Sequence, residues 1–142
     1  MIYTALTKKA LKLCFESHKE QVDKTGLPYV FHPFHLAEQM DDEISTVCAL
    51  LHDVVEDTET TIADLGQMGF PKEVLDVIEL LTHDNAVPYM DYVKNISKHP
   101  IAKKVKIADL LHNSDTTRLD SLDEYAIKRN QKYQEALRIL RG

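Results

Sequence analysis

"CALLHDVVEDT", residues 48–58, begins as an apolar run and then sets His52, Asp53, Glu56 and Asp57 within six residues. Residues three and four apart share a helix face, so His52 and Glu56, Asp53 and Glu56, and Asp53 and Asp57 are neighbouring pairs. Three carboxylates and an imidazole therefore crowd one side of a helix end whose dipole disfavours anions. Something positive must compensate. A divalent cation does so, and His and Asp are ligand types that a borderline or hard metal accepts. The apolar half of the stretch belongs to a core.

Two further clusters have the same character. Asp109, His112 and Asn113 in "VKIADLLHNSD" follow an apolar stretch at spacings of three and four, and His32 in "YVFHPFH" stands at a helix start just before Pro33. A single His at a helix start is ordinarily a cap, and an Asp-Glu pair is ordinarily a solvated helix end. Taken together, His32, His52-Asp53 and Asp109 point to one mixed His/Asp site. His18, His83 and His99 lie near helix ends with no acidic partner at ligand spacing and read as surface residues; His35, three residues from His32, is a further candidate ligand. Most of Lys98, Lys103, Lys104 and Lys106 read as solvated, with Lys106, three residues before Asp109, the one able to face the site.

The 142 residues are enough for one domain with one core, and 44% hydrophobic with 28% charged residues is the balance of a chain that folds. Lys+Arg 17 against Asp+Glu 23 gives a net charge of −6, which argues against nucleic acid or an anionic membrane as partner, so a phosphorylated substrate needs local cations. Cys14 and Cys48 sit in apolar periodic segments and read as reduced core residues. With no signal peptide pattern and no apolar run near the ~20 residues that span a bilayer, the expected location is cytoplasmic. The sequence carries no signal for oligomeric state.

The periodicity predicts an all-α, single-domain bundle over 1–142. Helices are expected from Ala5 to at or just before Gly26, from Pro33 to Met40, from Glu43 to Glu56, after a Thr60 or Thr61 cap, from Pro71, Pro88 and Pro100, and from about Asp123 to Leu140. On the helix from Pro100, Ile101, Val105, Ala108 and Leu111 are expected to line the core, and on the last helix Tyr125, Tyr133, Leu137 and Leu140 form the apolar series.

The runs "HKEQVDKTGLPYVFHP", "ALLHDVVEDT" and "VKIADLLHN", in that order and spacing, resemble the HD-domain metal-dependent phosphohydrolases, a superfamily named for adjacent pairs such as His52-Asp53. Within it they are similar to the hydrolase domain of RelA/SpoT-type enzymes and small alarmone hydrolases, which remove pyrophosphate from the 3′ position of (p)ppGpp. The resemblance runs from about Ala5 to Leu119 and leaves no room for a synthetase or regulatory domain in these residues. It implies that His32, His52, Asp53 and Asp109 bind one Mn²⁺ or another divalent metal, that Glu56 and Asp57 are the catalytic pair, and that Lys24, Thr25, Asn113 and Thr116 touch a small phosphorylated nucleotide. A different nucleotide such as NADPH or a nucleoside phosphate is the alternative substrate. A non-catalytic metal- or nucleotide-binding module is the alternative class, and the Glu56-Asp57 pair argues against it. Three departures fall at substrate contacts: Asp23 replaces an Arg that stacks on the base, Ser114-Asp115 replaces Met-Arg, and the segment between Leu81 and Pro88 is short.

Overall fold

The computed structural model describes residues 1–142. At its centre lies α3 (Glu43–Leu51), in which every residue from Ser45 to Leu51 is buried. A helix that is apolar all round must be enclosed by others. It packs against α1 (Ala5–His18), α2 (Phe31–Glu38), α6 (Lys72–Leu81) and α8 (Pro100–Asn113). A one-turn helix, α4 (Val54–Asp57), follows α3; α5 (Ile62–Gln67) lies on α6, and α9 (Glu124–Arg141) closes over α8 and α7 (Tyr89–Ile96). One cluster of 27 buried apolar residues draws on all nine helices, so the bundle has a single core. The sole β contact is a bridge between Val22 and Pro28. No helix is long and apolar enough to cross a membrane.

Side-chain caps fix the helix starts by satisfying otherwise orphaned N–H groups. Thr4 and Thr7 form a capping box at α1, Thr61 and Asp64 another at α5, and the carboxylates of Asp42 and Asp123 accept from the third amide of α3 and of α9.

The expected boundaries shift at several points, each for a local reason. The first helix ends at His18, well before Gly26, because the Asp23 carboxylate takes the amides of Thr25 and Leu27 and offers the backbone a turn instead of another helical one. Gly26 completes that turn at φ 84°, a conformation that side-chain-bearing residues avoid. The second helix starts at Phe31, with Pro33 still among the first four residues, where a missing N–H costs nothing. Pro71 and Pro88 cap their helices from outside.

The expected Glu43–Glu56 helix is two: Asp53, at φ −108° and ψ 0°, turns the chain between α3 and α4. On α8 the buried face runs through Ala102, Val105, Ala108 and Asp109, while Leu111 is exposed. Tyr125 is exposed and Ala126 takes the core position. His18 is fully buried rather than on the surface, because α1 ends beneath Tyr29, whose ring centroid is 4.9 Å away. His83 and His99 are half-buried, the latter as the cap of α8.

Both cysteines are buried and unpaired. Burial, with the Asp53 charge adding, pushes the Cys14 thiol up to about 12, and burial raises Cys48 as well. Because the thiolate is the reactive form, native protein at pH 8 should leave an aromatic disulfide reagent untouched and release both thiols only in denaturant. Fast labelling of native protein would show that the core around α3 opens readily.

Candidate metal centre and adjoining cleft

The break after α3 turns His52 and Asp53 towards α2 and α8. Four side chains from these elements meet there: His32, His52, Asp53 and Asp109 each offer a ligand atom, all within 4.8 Å of one another. Ligand bonds of about 2.0–2.2 Å put atoms on opposite sides of one ion roughly 4–4.4 Å apart, slightly less than this limit, so the group is close to the span of a single cation. His32, His52 and Asp109 are buried.

The donor chemistry fits a metal. His52 Nδ1 donates to the Ala49 carbonyl at 2.7 Å, which assigns the proton to that nitrogen and leaves the Nε2 lone pair facing Asp53 at 3.0 Å and Asp109 at 3.5 Å. Nε2 is buried without a hydrogen-bond partner. A lone pair pressed against two carboxylates in the interior calls for a cation between them. Without one, the imidazole takes that role: burial alone would lower its pKa, but Asp53 and Asp109 outweigh burial and raise it well above the ordinary value.

An outer ring of side chains orients the four. Tyr29 donates its hydroxyl to Asp53. Lys106, on the α8 turn before Asp109, donates to Asp109 Oδ2 at 2.9 Å, and Asn113 donates to Oδ1 at 3.1 Å. His112 stacks on His32 with centroids 4.9 Å apart and planes at 10°, and their Nδ1 atoms are 2.6 Å apart. Burial, then the charges of His32 and Arg118, push His112 down to about 4, so it is neutral and able to accept the His32 Nδ1 proton, leaving His32 Nε2 for the centre. The i+3 spacing from Asp109 was the one sequence signal for His112; its partner, 80 residues away, was not readable. His35 stays outside the cluster, its ring centroid 4.3 Å from that of His112.

Glu56 and Asp57 stand on α4, one turn beyond Asp53. Glu56 Oε1 accepts the His83 amide at 3.0 Å, so the short segment after Leu81 holds this side chain. No side chain of the protein hydrogen-bonds the Asp57 carboxyl. Desolvation, then the charges of Asp53 and Glu56, push Asp57 up to about 6, and desolvation also raises Glu56.

A cleft of about 320 Å³ opens beside the centre, sharing Tyr29 and His32 with it. Lys24, Thr25 and Asn113 line it as expected from the sequence, and Thr116 does not: it opens a 3-10 turn, Thr116–Arg118, that presents Arg118 to the cleft instead. Arg129 and Tyr133 from α9 complete the wall, outside the stretch that carried the sequence motifs. Desolvation, then the neighbouring charges of Arg129 and Lys132, lowers the Lys24 pKa, and Lys24, Arg118 and Arg129 outnumber Asp23 and Asp115 on the cleft lining. In a chain of net charge −6 this local excess is the compensation that a phosphorylated ligand requires.

An all-helical bundle with a buried His/Asp quartet beside a cation-lined cleft defines an HD-type hydrolase. No model of a protein family matches the chain. The guanosine-3′,5′-bis(diphosphate) 3′-pyrophosphohydrolase MESH1 of Xenopus tropicalis is 31% identical over 97% of this chain and 84% of its own, and that of Homo sapiens 30% over 94% and 82%. A guanosine-3′,5′-bis(diphosphate) 3′-pyrophosphohydrolase of Aquifex aeolicus is 33% identical over 77% of this chain and 17% of its own. A solved metazoan ortholog of SpoT that hydrolyzes ppGpp superposes with a TM-score of 0.77 at 24% identity, covering 99% of this chain and 85% of that one, a likeness of fold. The chain belongs to the family of guanosine-3′,5′-bis(diphosphate) 3′-pyrophosphohydrolases.

His52→Ala and Asp53→Ala should each abolish co-purifying divalent metal, and metal loading should raise the Tm of wild type alone, since an ion bound only by the folded state adds to folding free energy. Elemental analysis and thermal melts with and without added metal check this. Equal metal content in all three proteins would show that the quartet holds no ion.

Proposed function

We propose that the chain hydrolyses guanosine-3′,5′-bis(diphosphate) to GDP and pyrophosphate, with Mn²⁺ held by His32, His52, Asp53 and Asp109. The observation that carries this reading is the meeting of a largely buried His/Asp quartet with a cleft lined by Lys24, Arg118 and Arg129. Membership of the pyrophosphohydrolase family supports it. A divalent ion in the quartet supplies Lewis acidity, making a water more acidic and polarising a phosphoryl oxygen.

The remaining work falls to the chain's own side chains. Lys24 and Arg129 neutralise the phosphates at the cleft wall, and Thr25 and Asn113 add polar contacts; Asn113 at the same time steadies Asp109. Asp57, with its raised pKa and no competing hydrogen bond, takes the proton of the attacking water. Glu56, pinned by the His83 amide, orients that water. The water oxygen bonds to the phosphorus on O3′ as its proton passes to Asp57, the P–O3′ bond breaks, and the departing oxygen takes up the proton released by Asp57 to leave as the 3′-hydroxyl of GDP.

Assay of Mn²⁺-loaded protein against ppGpp, pppGpp and NADPH, reading pyrophosphate and orthophosphate separately, tests the reading: ppGpp should give GDP and pyrophosphate. Turnover of NADPH alone would replace the substrate. Glu56→Gln and Asp57→Asn should keep metal but lose roughly 10²-fold or more in kcat, the loss that follows removal of a general base or its partner. Wild-type rates in both would make the pair structural.

The pH profile has a definite sign. A base must be deprotonated, so kcat/KM should fall about tenfold per unit on the acid side. The limb should lie at or below the Asp57 value of about 6, because a cation beside Asp53 offsets one of the charges that raise it. Asp57→Asn should remove the limb.

A further inference from the structure

Asp23 and Arg118 form an ion pair across the cleft, from positions 95 residues apart, with Arg118 Nη1 donating to Asp23 Oδ2 at 3.2 Å. Arg118 Nη2 donates to the His112 carbonyl at 2.9 Å. The other Asp23 oxygen is also committed: Oδ1 accepts from the Thr25 amide at 2.8 Å, the Thr25 hydroxyl at 2.6 Å and the Leu27 amide at 3.0 Å. Asp23 is therefore a bracket built into its own loop, with Oδ1 filled by that loop and Oδ2 turned to Arg118.

The geometry decides what Arg118 offers. A guanidinium donates in its own plane, and two of its edges are engaged by Asp23 and by the His112 carbonyl. Its charge is balanced by Asp23, so it adds little to the attraction for a polyphosphate, a task left to Lys24 and Arg129 on the same cleft. Bonds within the plane leave the π faces uncovered by those partners, and a weakly hydrated planar cation stacks well on an aromatic ring. Val22 and Leu119 line the same cleft and give it an apolar wall, with Val22 strongly exposed. A flat aromatic group attached to phosphates matches this combination.

We infer that Arg118, clamped edge-on by Asp23 and the His112 carbonyl, is the platform on which the nucleobase of the substrate stacks, with Asp23 as its positioning residue. The inference rests on the proposed function for the identity of the nucleotide and for nothing else.

The test is equilibrium binding of two ligands that are not turned over, GDP and the base-free methylenebisphosphonate, to Mn²⁺-loaded wild type, Arg118→Ala, Arg118→Lys, Asp23→Ala and the double variant Asp23→Ala/Arg118→Ala. Arg118→Ala should weaken GDP roughly tenfold more than methylenebisphosphonate, the loss of one cation–π contact, because the Asp23 charge it leaves unpaired acts on both anions alike. Arg118→Lys, which keeps charge and bulk without the plane, should not restore GDP binding. Asp23→Ala should lower the preference for GDP over methylenebisphosphonate when Arg118 is present and leave that preference unchanged in the Arg118→Ala background, because it acts through the guanidinium.

Equal losses for both ligands would make Arg118 a phosphate contact and overturn the inference. So would wild-type GDP binding by Arg118→Ala, full rescue by lysine, or a wild type that does not bind GDP. If GDP binding follows the expected pattern but wild type leaves ppGpp intact, the activity reading falls and the base platform stands.

Discussion

Two carboxylates, Asp53 and Asp109, face the bare nitrogen of a buried His52, and the rest of the site answers that one electrostatic demand. Negative charge in a poorly solvated interior is tolerated only where hydrogen bonds and cations balance it. Tyr29, from the loop before α2, directs its hydroxyl at Asp53, while Lys106 and Asn113 direct donors at Asp109 from the α8 turns on either side of it. Burial alone would raise both acids; Lys106 holds Asp109 well below the usual carboxylate range, and the His52 imidazole, protonated where no cation stands between the carboxylates, holds Asp53 down to about 2. The centre is thus kept ionised, the state in which a carboxylate binds a metal.

The bundle supplies the rigidity for this. The central helix α3 is enclosed on all sides, so its end cannot drift, and the turn at Asp53 redirects the chain at the point where ligands are required. An unbroken helix would have set His52 and Glu56 on one face. The break instead divides the labour: His52 and Asp53 turn into the quartet, while Glu56 and Asp57 stand on a separate short helix, one fixed by a backbone amide and the other left without a partner.

The substrate side follows a different physical logic, that of charge placement on a wall. An aspartate at position 23 would by itself repel a polyphosphate, yet its charge is neutralised by Arg118 at Oδ2 and its Oδ1 is filled by its own loop. The cations that remain free to meet phosphate come from Lys24 and from α9, so the last helix both covers the core and shapes the cleft.

By itself the sequence determined the all-helical class, the single core, and the residue types that converge. Apolar periodicity and caps such as Thr61 are local, and so are the tight groupings of His52 with Asp53 and of Asp109 with Asn113. The end of α1 at His18, the break at Asp53 and the burial of His18 depended on contacts with distant residues, and periodicity has no knowledge of those. Arg118 shows the difference most sharply. Nothing in the sequence distinguishes it, and only the packing of the turn after α8 against the loop of Asp23 gives it a partner, because an ion pair across 95 residues exists only once the helices between them have packed.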